Sequence, residues 1–165
     1  MSKIDVKSYK EAHGMFSQLD ANWSRLRLGE TIYLVRDWGC TIMSIIFLLF
    51  KILGVVIFPH RAIKLFKFDS NGRFYWSSFS RINKHLKAYR YKKQKPSHKV
   101  ATEVTTSKKQ GLLIELNRNP AHWVAATSWG WKRWPYFMAF DPLGARIKRF
   151  RKSEVLGFAI IKYEE

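Results

Sequence analysis

Gly39-Cys40-Thr41-Ile42-Met43-Ser44-Ile45-Ile46-Phe47-Leu48-Leu49-Phe50-Lys51-Ile52-Leu53-Gly54 is the stretch on which the fold turns. From Thr41 to Leu53 the side chains are apolar nearly all round, with no polar stripe at the helical period, so the segment reads as a helix buried on every side. Gly54 ends it, and the short run Val55-Val56-Ile57-Phe58 leads to Pro59. Taken together, Ile42 to Phe58 is the longest apolar stretch of the chain, but Ser44, Lys51 and Gly54 interrupt it and it falls short of the about 20 residues a membrane helix needs. A core helix is therefore the reading, and a membrane-associated protein inserted through Ile42 to Phe58 is the weaker alternative. Such a helix requires an apolar surface to lie against.

That surface lies downstream. GLLIEL (111–116), HWVAATSW (122–129), YFMAFD (136–141) and FAIIKY (158–163) are short apolar or aromatic runs bounded by Gly, Pro and Asn, the mark of four strands in a mostly antiparallel sheet. Gly130 to Pro135 makes the turn between the second and third. Upstream the pattern is helical. His60 to Phe68 and Trp76 to Tyr91 are helical candidates separated by the turn Asp69-Ser70-Asn71-Gly72, whereas residues 5 to 20 are too irregular to assign. The expected architecture is α+β in one domain spanning residues 1–165, with a mainly helical lobe over 1–100 and a β-sheet lobe over 101–165.

Composition narrows the classes. Thirty Lys and Arg against twelve Asp and Glu leave the 165-residue chain at +18, yet 47% of its residues are hydrophobic and 16% aromatic, far too many for disorder. The charge decorates a folded body. Cys40 is the only cysteine, so an internal disulfide and a cysteine-rich zinc site are both excluded, and neither a metal nor a cofactor is expected. The first twenty residues have no apolar signal core, which leaves host cytoplasm or a virion as the expected location, with delivery to a cell wall by another route.

The chemistry converges on Cys40. It follows Gly39 at the very start of the buried helix, where unpaired N–H groups and the helix dipole favour a thiolate. A thiolate nucleophile needs a proton acceptor beside it and a group to orient that acceptor. His122 opens one strand and Asp141 ends the next, so the hairpin between them brings imidazole and carboxylate to the same end of the sheet. Asp141 would then fix the ring, and the second ring nitrogen would face the sulfur.

Spacing adds a resemblance. Gln18-Leu19-Asp20-Ala21-Asn22-Trp23, then Leu28-Gly29, Gly39-Cys40-Thr41 with Ser44, and Leu53-Gly54 are similar to the Q-x-D-x-x-W, LG, GC-x-x-x-S, LG series of bacteriocin-leader-peptidase-like cysteine peptidases of the papain fold. Pro59, Asn71-Gly72 and Trp76 continue it, and Gly111, His122-Trp123-Val124 and Phe140-Asp141-Pro142 resemble the histidine strand and the D-P strand end. The resemblance implies a papain-like fold, a Cys40, His122, Asp141 triad, and Gln18 as the side chain that joins the Cys40 N–H in the oxyanion hole. It also implies a cysteine peptidase or amidase of the kind found in bacterial and phage proteins, here directed at peptidoglycan peptides. The chain departs from the pattern at Thr41-Ile42, where the family usually carries a small residue. That departure keeps open a second class, a papain-fold virion or structural protein of weak or no activity that contacts nucleic acid and other virion proteins.

Both classes use the charge. Between Arg73 and Thr102 there is no acidic residue, while Arg81, Lys84, Lys87, Arg90, Lys92, Lys93, Lys95 and Lys99 follow one another closely. Such a segment attracts anionic cell-wall polymer or holds phosphates, with Tyr89 and Tyr91 available for stacking, or is simply a solvated basic face. Trp129, Trp131 and Trp134, interleaved with Lys132 and Arg133, form either an exposed aromatic rim or the edge of the core.

Overall fold

The computed structural model describes residues 16–131 and 134–165. Among these residues four α-helices, α1 (Val35–Trp38), α2 (Cys40–Leu53), α3 (Pro59–Leu65) and α4 (His98–Thr106), accompany six strands, β1 (Leu86–Tyr91), β2 (Gln110–Leu116), β3 (His122–Trp131), β4 (Pro135–Asp141), β5 (Arg146–Arg151) and β6 (Val155–Tyr163). The strands form one antiparallel sheet in the order β1-β6-β2-β3-β4-β5. The fold is thus α+β.

Both faces of the sheet are covered, which explains why its central strands read as near-continuous apolar runs. Leu113, Trp123, Ala125, Phe140, Ala159 and Ile161 form one core with α2. Their neighbours Leu112, Ile114, Val124, Ala126, Phe137, Ala139 and Ile160 form a second core with Ala101 and Val104 of α4. Every residue of α2 from Ile42 to Leu49 is buried, and Phe47 stacks on Phe140 with centroids 4.3 Å apart. Each such buried Phe contributes about 1.5–3 kcal/mol of burial. Gly54 ends α2 in the left-handed conformation at φ 65°, its N–H bonded to the Phe50 carbonyl. At the other end Gly39 has no room for a side chain, because a Cβ would stand 2.3 Å from the Val35 carbonyl oxygen. That contact lets α1 turn directly into α2 and sets Cys40 as the first helical residue.

Three expectations change. Trp76 to Tyr91 is not a helix: a 3-10 helix covers Trp76–Arg81, and Leu86–Tyr91 is the edge strand β1, paired with β6. The sheet therefore draws a strand from the first hundred residues. It lies at the sheet edge, with Leu86 buried, Ala88 half-buried and Lys87, Tyr89, Arg90 and Tyr91 exposed. Second, β5 is a strand that its four basic residues in six disguise. Third, α4 forms at the end of the basic segment, where no helix was expected, because the Ser97 side chain accepts the Val100 N–H at 3.2 Å and caps it while Ala101, Val104 and Thr105 make a buried face. The turn at 69–72 forms as expected, with Asp69 Oδ1 accepting the N–H groups of Asn71 and Arg73 at 2.9 and 2.8 Å. α3 begins at Pro59 and stops at Leu65. Most of the irregular run 5–20 lies outside the described residues.

Among the described residues, no helix is long and apolar enough to cross a membrane. The apolar stretch from Ile42 is divided between a helix that ends at Leu53 and a following non-helical run, Val55 to Phe58.

Candidate active site

The ladder that joins β3 to β4 pairs Ala125 with Phe140, so His122 and Asp141 are diagonal neighbours at the same end of the sheet. Their side chains meet: His122 Nε2 lies 2.8 Å from Asp141 Oδ1. The Asp141 side chain is fully buried, and Oδ1 also accepts the Leu143 N–H at 3.0 Å. Oδ2 is taken by the ammonium of Lys148, which β5 places diagonally across from Asp141. Every lone-pair direction of this carboxylate that matters has a donor, and a buried carboxylate with such partners stays ionised.

With Nε2 donating to Asp141, Nδ1 is the ring nitrogen left for Cys40. Burial of the ring works against its proton, but the hydrogen bond to Asp141, the hydrogen bond with the Cys40 side chain and the charges of both groups outweigh it, pushing His122 up to about 9. For Asp141 burial likewise opposes ionisation, and the His122 and Lys148 hydrogen bonds overcome it, holding the carboxyl far below the usual carboxylate range. Cys40, 8% exposed, lies at the N-terminus of α2 and lines a cleft of about 490 Å³. One turn further on, buried Ser44 donates its hydroxyl to the Trp123 carbonyl at 3.0 Å, tying α2 to the strand residue next to His122.

Gln18 stands beside these residues. Its backbone N–H donates to the Pro142 carbonyl at 3.1 Å, and its side-chain amide donates to the Arg36 carbonyl at 2.6 Å. The residue thus bridges the segment after Asp141 and the helix before Cys40. Gln18 is 3% exposed and is not among the residues that line the cleft. One amide hydrogen is engaged by Arg36; among the described residues the other has no acceptor and the buried Oε1 has no partner. The rest of the motif is architectural. Asp20 Oδ1 accepts the Asn22 N–H at 2.8 Å, and Trp23 Nε1 donates to the Ser17 carbonyl at 2.6 Å, so the two side chains hold the turn that presents Gln18.

The basic segment is divided by the fold. Arg90 and Lys92 line the cleft beside Cys40, whereas Lys87, Lys93 and Lys99 are exposed away from its lining and Lys95 donates to the Ser153 carbonyl at 3.2 Å. Arg81 and Lys84 are exposed on the 3-10 helix and the turn that follows it. Arg90 lies over the rings of Trp76 and Trp123 at 5.7 and 5.4 Å and pairs with Glu115 at 3.3 Å. At the far end of β3, nine residues and about 30 Å from His122, Trp131 and Trp134 are 65% and 63% exposed, while Trp129 donates to His98 and packs on Phe137. Lys132 and Arg133 lie outside the described residues.

Two site residues were missed in the sequence. Lys148 lies in a strand hidden by charge. Glu115 had a signal, being the lone carboxylate of an otherwise apolar strand. No group of three or more potential metal-ligating side chains occurs among the described residues. Neither a protein-family model, nor a curated protein, nor a solved structure matches the chain.

Proposed function

We propose that the protein is a cysteine peptidase or amidase of papain-like fold, with Cys40 as nucleophile, His122 as general acid and base, and Asp141 as the group that orients the ring. The observation that carries this reading is the position of His122, held by Asp141 at 2.8 Å through Nε2 with Nδ1 left for Cys40, and its pKa is pushed up to about 9 against the burial of the ring. An imidazolium at neutral pH beside a thiol at a helix N-terminus is the setting in which a thiolate forms.

The reaction follows from that arrangement. The Cys40 thiolate adds to the substrate carbonyl carbon, and the negative charge passes to the carbonyl oxygen. The Cys40 N–H, which like all first-turn donors has no acceptor within its helix, is the donor for that oxygen, and Gln18 is the second donor that the resemblance implies. His122 protonates the departing amine as the C–N bond breaks, which leaves a thioester. It then takes a proton from water, which attacks the thioester and restores the thiolate and the imidazolium. Peptidoglycan peptides are the proposed substrate, because a body of charge +18 is drawn to anionic wall polymer. A bacterial or phage protein delivered to the wall fits that use. Incubation with purified murein is expected to release amines with wild type and none with Cys40→Ala, and equal release would overturn the assignment.

A second reading keeps the fold and drops the chemistry. It is favoured by the engagement of Gln18 with the Arg36 carbonyl and by Thr41-Ile42 after the cysteine. The chain would then be a basic virion or structural protein that contacts nucleic acid through the exposed Lys87, Lys93 and Lys99 with Tyr89 and Tyr91. Its affinity for DNA would fall steeply with salt.

A further inference from the structure

We propose that the cleft beside Cys40 selects peptides that carry an acidic side chain, received by Arg73 and Lys92; this rests on the peptidase reading and names its substrate class. The cleft lining contains three cations, Arg73, Arg90 and Lys92, and a single carboxylate, Glu115. These charges are not equivalent. Arg90 is already neutralised by Glu115 and laid over Trp76 and Trp123, so it belongs to the wall. Gly157 leaves room for the Glu115 carboxylate, since a Cβ there would stand 2.8 Å from Glu115 Oε2. Cancelling that pair leaves Arg73 and Lys92, both exposed and both without an acidic partner among the described residues.

In a chain so rich in lysine and arginine, lack of an acidic partner distinguishes nothing by itself. What distinguishes these two is their place on a concave wall shared with the nucleophile. In a cleft with low-dielectric walls two uncompensated cations focus their field on whatever enters. Trp38, Phe68, Phe74 and Trp76 give the same cleft its apolar lining, suited to the aliphatic stem of an acidic residue and its neighbours. A space of about 490 Å³ takes a short extended peptide segment. Peptide is favoured over nucleic acid because, with Arg90 paired to Glu115, the cleft offers two cations suited to one acidic side chain and not the row of them that repeated phosphates need.

Binding to the Cys40→Ala protein tests this without requiring turnover. Acetyl-Ala-Ala-Glu-Ala-Ala-amide and its glutamine counterpart are titrated while tryptophan emission is followed. The glutamate peptide is expected to bind about tenfold more tightly, the effect of one well-placed charge-assisted contact. Arg73→Glu with Lys92→Glu should abolish that preference and create one for the lysine peptide, a gain that a misfolded variant could not show. Equal affinity for the two peptides, no saturable binding of the glutamate peptide, or an unchanged preference in the double variant would overturn the proposal. So would displacement of the peptide by an oligothymidylate that binds more tightly than it does. The peptidase reading is judged separately, by the alkylation of Cys40 in the wild-type protein.

Discussion

Lys148 on β5 donates its ammonium to Oδ2 of Asp141 on β4, and this leaves Oδ1 to His122. The three side chains come from three adjacent strands and form a relay from the sheet edge to the cysteine. In it a partly exposed lysine 31% open to solvent governs a carboxylate that has no exposure at all.

Lys148→Met therefore has a specific expected effect. Removing the cation relieves the stabilisation of ionised Asp141, so its carboxyl moves up toward the ordinary range, yet it stays ionised at neutral pH and, with the competing cation gone, holds the His122 proton more strongly. The alkaline limit of peptide hydrolysis, where His122 loses the proton it gives to the leaving amine, should move to higher pH, and Lys148→Arg should restore most of the shift. An unchanged pH profile in Lys148→Met would remove the lysine from the positioning of the site.

Gln18 separates two kinds of chemistry. Alkylation of a thiolate develops no oxyanion, whereas attack on a peptide carbonyl does. Gln18→Ala should lower kcat for peptide hydrolysis by about 10²–10³ while leaving the alkylation rate of Cys40 nearly unchanged. If both rates fall together, Gln18 acts only by bracing Arg36 and Pro142, through the bonds it makes to their carbonyls.

The titrations of His122 and Asp141 also predict a pH dependence of stability. His122 is raised from 6.5 to about 9, so its contribution is complete below 6.5 and is lost as pH rises through about 9. Asp141 is depressed below 3.8, so its contribution is present above 3.8 and is lost as pH falls further. The difference in unfolding free energy between wild type and His122→Gln should shrink as pH rises from neutrality through about 9. A constant difference across that range would contradict the raised pKa.

How much of this was legible beforehand depended on what kind of signal each residue carried. The buried helix announced itself because Ile42 to Leu49 are apolar on every side, and His122 and Asp141 were reachable because a hairpin joins only neighbouring strands. The edge strands were not. β1 and β5 expose mainly basic side chains, Lys87 and Arg90 beside Tyr89 and Tyr91 in one and Arg146, Arg149 and Arg151 in the other, which read as a charge run when the partner strand is unknown. Helix α4 was hidden for a different reason: its Val and Thr content disfavours helix locally, and burial of Ala101 and Val104 against the sheet overrides that preference. Lys148 followed β5 into obscurity. The place of Gln18 between Arg36 and Pro142 depends on contacts across most of the chain, which no local pattern contains.

The measurement closest to the central claim is the rate of Cys40 alkylation by iodoacetamide as a function of pH, in wild type and in His122→Ala. An activated thiolate paired with His122 predicts rapid alkylation already at mildly acidic pH, far ahead of a free thiol, and loss of that advantage in the variant. Wild type and His122→Ala reacting alike, each following the titration of an ordinary thiol, would contradict it.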